Sequence, residues 1–162
     1  MHVLGGAPAW VYVLLVVLIA LGVRRLRTRE VPVAVALIPS IAFLIWSLVG
    51  AHVASTVIGG GTAALTWVAG AAVGAASAFL AGEPRATLLA DGRVRQPGTP
   101  LPLILYLAVF VIRFACGAWG AMRPEHAATA TAIGLAVGAA MTGRLVAGVS
   151  RWRRGAASAF VA

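Results

Sequence analysis

Hydrophobic residues in this chain fall in long runs separated by short polar segments. A helix needs roughly 20 apolar residues to cross a bilayer, and residues 31–82 alone contain no Asp, Glu, Lys or Arg. The pattern predicts an all-α integral membrane bundle of five transmembrane helices, which form one domain over residues 1–162. The predicted spans are residues 7–23, 31–53, 63–81, 101–122 and 127–149.

Proline and glycine mark the second span and its end. Pro32 fits the first turn of a helix, where a missing N–H costs little. Pro39 falls inside the span and is expected to kink the helix or free a backbone carbonyl. The three glycines at 59–61 predict the turn into the third span.

The longest polar segment, residues 82–100, joins the third and fourth spans and reads GEPRATLLADGRVRQPGTP. Its Asp-Gly pair stands between two short segments, which is a hairpin signal. We therefore expect a short cytoplasmic hairpin or loop here, either a small two-stranded ribbon or a tight turn at the membrane face.

The distribution of charged residues predicts the orientation of the spans in the membrane. Hydrophobic residues make up 61% of the chain and charged residues 10%, and the net charge of +9 comes from thirteen arginines with no lysine. Arginines that flank apolar spans favour contact with anionic lipid headgroups over nucleic-acid binding. With the N-terminus outside and the C-terminus inside a bacterial cytoplasmic (inner) membrane, only Arg123 of the loop arginines lies outside. The arginines expected inside are Arg24, Arg25, Arg27, Arg29, Arg85, Arg93, Arg95, Arg151, Arg153 and Arg154.

Small residues indicate where helices meet. The third and fifth spans each carry two glycines four residues apart, a spacing that lets backbones approach closely in lipid. Packing within one chain, a dimer seam and chance all remain open for this spacing. The glycines expected at helix contacts are Gly70, Gly74, Gly117, Gly120, Gly134 and Gly138.

Arg113 is the most unusual residue, because it lies inside the fourth span, about 13 Å from its outer end. A lone guanidinium at mid-membrane costs at least roughly 2.5–3.5 kcal/mol. All four acids, Glu30, Glu83, Asp91 and Glu125, lie in loops. Another group must therefore compensate the charge.

Several compensating groups remain open. They are helix carbonyls freed near Pro39, the hydroxyls of Ser40, Ser47 or Tyr106, water, a lipid phosphate, an anionic ligand, and an acid on a partner subunit. Arg113 is accordingly interpreted as either a structural hub or an anion receptor. Arg144 lies near the inner end of the fifth span, where its side chain is expected to reach the headgroups.

The residues for catalysis or metal binding are few. His2, His52 and His126 all fall at the predicted outer surface, and their spacing matches no ligand motif. The single cysteine, Cys116, excludes a disulfide within the chain and fits as a small apolar residue in a helix. No nucleophile–base pair, phosphate loop or paired carboxylate is present in the sequence. We expect no enzymatic activity, no metal and no cofactor.

Three segments resemble a family of small multi-span bacterial inner-membrane proteins known only as a domain of unknown function. They are PAWVYVLLVVLIALGVRRLRTREV, LIPSIAFLIWSLVG and RQPGTPLPLILYLAVFVIRFACGAWGAMRP. The resemblance implies a proline-glycine pattern before the fourth span and a cation followed by an aromatic residue within it. The matching positions are Pro97, Gly98, Pro102, Leu103, Arg113 and Phe114. The family often has lysine at the position of Arg113. The chain is only faintly similar to membrane proteins associated with cytochrome c biogenesis.

Two functions follow as expectations. The first is a small structural or accessory membrane protein, which acts as a homodimer or within a larger membrane complex. The second is a carrier or binding protein for an anionic or amphipathic small molecule, centred on Arg113, because buried charges and broken helices are features of transport sites.

Overall fold

The computed structural model describes residues 15–17, 19–20, 22–23, 26–81, 86–89 and 91–159. Most of the first predicted span therefore lies outside the described residues, although its described positions are helical. His2, Glu83, Arg24, Arg25 and Arg85 also lie outside them. The side chains of Arg151, Arg153 and Arg154 belong to the same undescribed part.

Four long helices dominate the described chain: α1 (Val33–Ile58), α2 (Gly60–Leu80), α3 (Leu101–Met122) and α4 (Ala127–Ala159). All four are long and apolar enough to cross a membrane, with Pro124–Ser150 as the apolar part of the last. Many large apolar side chains on them are exposed, as lipid-facing surfaces require. These features are those of a helical membrane protein.

The turn between α1 and α2 is a single residue. Gly59 has a φ of 81°, and helix α2 begins directly after it. Because only glycine adopts this conformation without strain, the glycine run does mark the boundary, although its other two residues are helical. A one-turn 3₁₀ helix, Pro124–His126, joins α3 to α4.

A small antiparallel sheet lies where α1 and α3 begin and α2 ends. Its strands are β1 (Arg29–Pro32), β2 (Thr87–Leu88) and β3 (Arg93–Gln96), in the order β1-β3-β2. Strands β2 and β3 form a ribbon around Asp91 and Gly92, and Gly92 has a φ of 76°. Val94 and Gln96 of β3 are buried on one face of the sheet, whereas Arg93 and Arg95 are exposed.

Strand β1 was not expected, and it corrects the start of the second span. Val31 pairs with Val94 in the sheet, and Pro32 follows with an extended backbone, φ −55° and ψ 146°. The prediction that Pro32 lies in the first helical turn is therefore wrong, because cross-strand pairing with β3 holds these residues extended. Helix α1 instead runs from Val33 to Ile58, through Pro39.

Helix α4 is the centre of the bundle, since it packs against α1, α2 and α3. Its closest neighbour is α2, where Gly70 and Gly74 lie against the backbone of residues 136–140. Gly143 of α4 lies in turn against the backbone of Ala71. A side chain at these glycines would push the helices apart, so the α2–α4 contact depends on bare backbone.

Candidate functional site

The guanidinium of Arg113 reaches from α3 to glycines on two other helices. A Cβ atom placed on Gly138 of α4 would lie 2.6 Å from Nη1, and one placed on Gly50 of α1 would lie 3.5 Å from Nη2. Arg113 itself is half-buried. The absence of side chains at Gly50 and Gly138 thus makes the space that the charged group occupies.

This space exists because α1 and α3 do not pack directly. No α-carbon of α1 lies within 8 Å of an α-carbon of α3. Their side chains bridge the gap at two levels. Nearer the sheet, the rings of Phe43 and Tyr106 stack with centroids 5.6 Å apart and planes inclined by 14°. Two turns further along α3, Arg113 crosses to Gly50.

No described acid neutralises Arg113. Glu30 pairs with Arg95 across the sheet at 2.9 Å, and Glu125 lies 3.6 Å from Arg123 in the 3₁₀ turn. Asp91 accepts a hydrogen bond from the backbone N–H of Arg93. All three acids lie outside the four long helices. Within the described residues, no ion pair or hydrogen bond involves the Arg113 guanidinium.

The two serines predicted as hydroxyl partners of Arg113, and Pro39, lie elsewhere. Ser47 is buried, and its Oγ accepts a hydrogen bond of 2.7 Å from Trp67 Nε1 of α2. Pro39 and Ser40 precede Gly50 by about 16 Å and 15 Å along the helix axis. That distance is too great for a hydrogen bond to a guanidinium that lies against Gly50, so the structure does not bring Pro39 and Ser40 together with Arg113.

Tyr106 is the predicted site residue that does accompany Arg113. Only 4% of Tyr106 is exposed, and it lies on the same face of α3 two turns towards the sheet. Its stack on Phe43 closes the gap between α1 and α3 on that side. The structure therefore assigns Tyr106 an aromatic contact beside the charged group.

Thr142 also belongs to this region, although sequence reasoning did not identify it. Its Oγ1 lies 3.1 Å from the carbonyl oxygen of Gly138 and 3.2 Å from that of Phe43. The side chain is 2% exposed. A hydroxyl four residues after a glycine in an apolar span was the available signal. Thr142 ties α4 to α1 just below the guanidinium.

The remaining glycines expected at helix contacts differ in what they meet. A Cβ on Gly120 would lie 3.3 Å from the Cβ of Ala130, and one on Gly134 would lie 3.9 Å from the Cβ of Cys116. Gly120 of α3 therefore faces α4, and Gly134 of α4 faces α3. Gly117 is exposed and has nothing within 4 Å of its Cβ position, so it makes no helix contact among the described residues.

Arg144 takes part in a polar link between α2 and α4. Its Nη1 donates a hydrogen bond of 2.8 Å to Ser77 Oγ of α2. Ser77 in turn donates to the carbonyl of Gly74 at 2.7 Å. The expectation that Arg144 reaches the headgroups stays a prediction.

The described histidines are both exposed: His52 on α1 and His126 in the 3₁₀ turn, where its ring lies 5.1 Å from that of Trp119. Over residues 26–81, 86–89 and 91–159, no group of three His, Cys, Asp or Glu side chains could hold a metal ion. The charged group of Arg113 is accordingly the one candidate centre that the described spans offer.

Comparison with family models, with curated proteins and with solved structures gives no match for this chain. The resemblance to a family of small inner-membrane proteins therefore stays a prediction from the quoted segments.

Proposed function

We propose that this protein is a membrane-embedded binding protein or carrier for an anionic or amphipathic small molecule, with Arg113 as its binding group. The observation that carries the proposal is the position of the guanidinium, which lies between Gly50 and Gly138 without an acid or hydrogen-bond acceptor among the described residues.

The energetic reason is the cost of an uncompensated charge in the bilayer, at least roughly 2.5–3.5 kcal/mol. A carboxylate or phosphate can accept two parallel N–H bonds from one guanidinium. Such a pair would offset much of that cost and would gain strength from the low dielectric of the interior. At Gly50 and Gly138 themselves, no side chain separates the guanidinium from the backbone of α1 and α4.

The proposal includes five spans in a bacterial inner membrane, with the N-terminus outside. Among the described residues, Arg27, Arg29, Arg93 and Arg95 cluster at the sheet end of the bundle. Arg123 lies at the opposite end. This asymmetry supports a cytoplasmic sheet by the positive-inside rule, and the sheet arginines would meet anionic lipid there.

A second candidate is a structural or accessory function, in a homodimer or a larger membrane complex. The observation in its favour is that Arg113 connects three helices, since its stem belongs to α3 and its head lies against α1 and α4. In that role the guanidinium would hold α3 in place, and its removal would destabilise the bundle without affecting any ligand.

Native mass spectrometry of the full chain released from nanodiscs tests the proposal. The binding function predicts a discrete added mass on the wild type that is lost in Arg113→Leu, while thermal stability changes little. Arg123→Leu, which removes an exposed arginine at the bundle end, is the matched control and should keep the added mass. A bare wild-type protein together with an unfolded Arg113→Leu would favour the structural role instead.

A further inference from the structure

The gap between α1 and α3 is the part of the molecule that offers further chemistry. Elsewhere, Arg95 pairs with Glu30 and Arg144 donates to Ser77, whereas the buried Oε1 atom of Gln96 has no hydrogen-bond partner among the described residues. The gap differs from these polar contacts. Residues that are not needed to bind a small anion form two of its sides, its floor and one of its ends.

On the sheet side of Arg113, the gap is closed. Phe43 and Tyr106 stack across it, and Thr142 Oγ1 lies within hydrogen-bond distance of the Phe43 carbonyl. Tyr106 and Thr142 are both almost fully buried. A molecule bound at Arg113 therefore cannot extend towards the sheet without separating two packed aromatic rings.

On the opposite side of Arg113, the described residues leave the gap open at Gly117. This glycine lies one turn further along α3, and helical geometry of about 100° per residue puts it some 40° from Arg113 and some 20° from Tyr106. It therefore shares the face that looks towards α1. It is exposed, with nothing within 4 Å of its Cβ position. Val57, two turns beyond Gly50 on α1, is 51% exposed.

The floor of the open half belongs to α4. Gly138 lies beneath the guanidinium, and Thr131 lies two turns towards the 3₁₀ turn on the same face, about 20° away around the helix. Thr131 is half-buried. We define the α1–α3 cleft as the space bounded by Gly50 and Val57 of α1, Arg113 and Gly117 of α3, and Gly138 of α4.

We propose that the α1–α3 cleft binds a single-chain amphiphile with one terminal anionic group, of which a medium-chain carboxylate is the simplest case. This assignment rests on the proposed binding function of Arg113. The anionic group pairs with the guanidinium, and the apolar chain lies past Gly117 and Val57, because the Phe43–Tyr106 stack blocks the other direction.

The depth of Arg113 in the membrane favours a single-chain amphiphile over a membrane phospholipid as the ligand. Arg113 lies about 13 Å from the Met122 end of α3 and about 18 Å from the Leu101 end. The hydrocarbon core is roughly 30 Å thick, so a lipid phosphate at either interface is far from the guanidinium. A free carboxylate at the end of one chain can move to this depth, where the guanidinium replaces its hydration.

Binding to the full chain in nanodiscs tests the assignment with three probes: dodecanoate, dodecanol and acetate. The wild type should bind dodecanoate and should bind dodecanol at least about 30-fold more weakly, as expected for loss of one partner of a buried charge pair. Dodecanol binding equal to that of dodecanoate would overturn the requirement for an anion. Tighter binding of a nanodisc phospholipid, retained as added mass in place of dodecanoate, would overturn the single-chain assignment.

Two variants distinguish the contribution of the cleft to binding from that of the Arg113 charge. Gly117→Leu fills the open half and should weaken dodecanoate binding while leaving any acetate binding at Arg113 unchanged. Gly148→Leu is its matched control, because Gly148 of α4 also has nothing within 4 Å of its Cβ position. If Gly117→Leu binds dodecanoate as tightly as the wild type does, the α1–α3 cleft does not hold the apolar chain. The proposed binding function of Arg113 would still stand. Undiminished binding of both anions to Arg113→Leu overturns the binding function itself.

Discussion

Two glycines in this bundle have almost equally tight surroundings, yet their substitution by alanine should change the stability of the bundle to different extents. A Cβ on Gly138 would lie 2.6 Å from Nη1 of Arg113, the far end of a flexible side chain. A Cβ on Gly70 would lie 2.5 Å from the backbone oxygen of Ala136 and 3.1 Å from its Cα. The guanidinium can move by rotation about its own side-chain bonds, whereas the carbonyl moves only with helix α4.

The expected magnitudes follow from this difference. For Gly70→Ala, separating α2 from α4 should lower the free energy of unfolding by about 1–3 kcal/mol, the usual cost of overpacking. For Gly138→Ala, moving the guanidinium should cost little, and alanine is intrinsically up to about 1 kcal/mol better than glycine in a helix. Its stability should therefore stay within about 1 kcal/mol of the wild type, while anion binding falls because Nη1 is displaced.

Reversible unfolding in mixed micelles, followed by tryptophan fluorescence, measures the first quantity, and native mass spectrometry measures the second. Gly148→Ala serves as the control for the helix propensity of alanine, because that position is open. If Gly138→Ala destabilises the bundle as much as Gly70→Ala, the guanidinium is held as rigidly as backbone, and the structural role of Arg113 gains over binding. Unchanged binding in Gly138→Ala would refute the assigned position of the anion.

Three further substitutions test other parts of the structure. Trp67→Phe removes the hydrogen-bond donor to Ser47. It should lower the free energy of unfolding by about 0.6–1.7 kcal/mol, the range of hydrogen bonds between membrane helices. An unchanged midpoint of unfolding would contradict that bond. Thr142→Val keeps the shape but removes the link to the Phe43 carbonyl, so a loss of similar size is expected in the same assay, and a stabilised protein would count against it. Gly92→Ala introduces a Cβ at a φ of 76° and should cost about 1–2 kcal/mol, visible as faster amide exchange in β3 while the helices keep their protection.

The position of Arg113 shows how far sequence reasoning reaches at the site. One cation in an apolar span, with every acid in a loop, sufficed to identify the residue. Its surroundings do not follow from the sequence, because the chemistry of Pro39, Ser40 and Ser47 does not indicate which turn of α1 faces α3. Gly50 and Gly138 could not be selected among 19 glycines until the helices were assembled.

Hydrophobic run length is a local property, and it determined the helical membrane class and the approximate limits of the four described helices. The Asp-Gly pair likewise located the turn between β2 and β3. Strand β1 escaped prediction because its partner, β3, is more than sixty residues away. The tertiary structure alone decided that α1 and α3 stay apart while α2 and α4 meet at bare backbone. Those distances depend on how side chains of different size pack against one central helix, and no single segment of the chain contains that information.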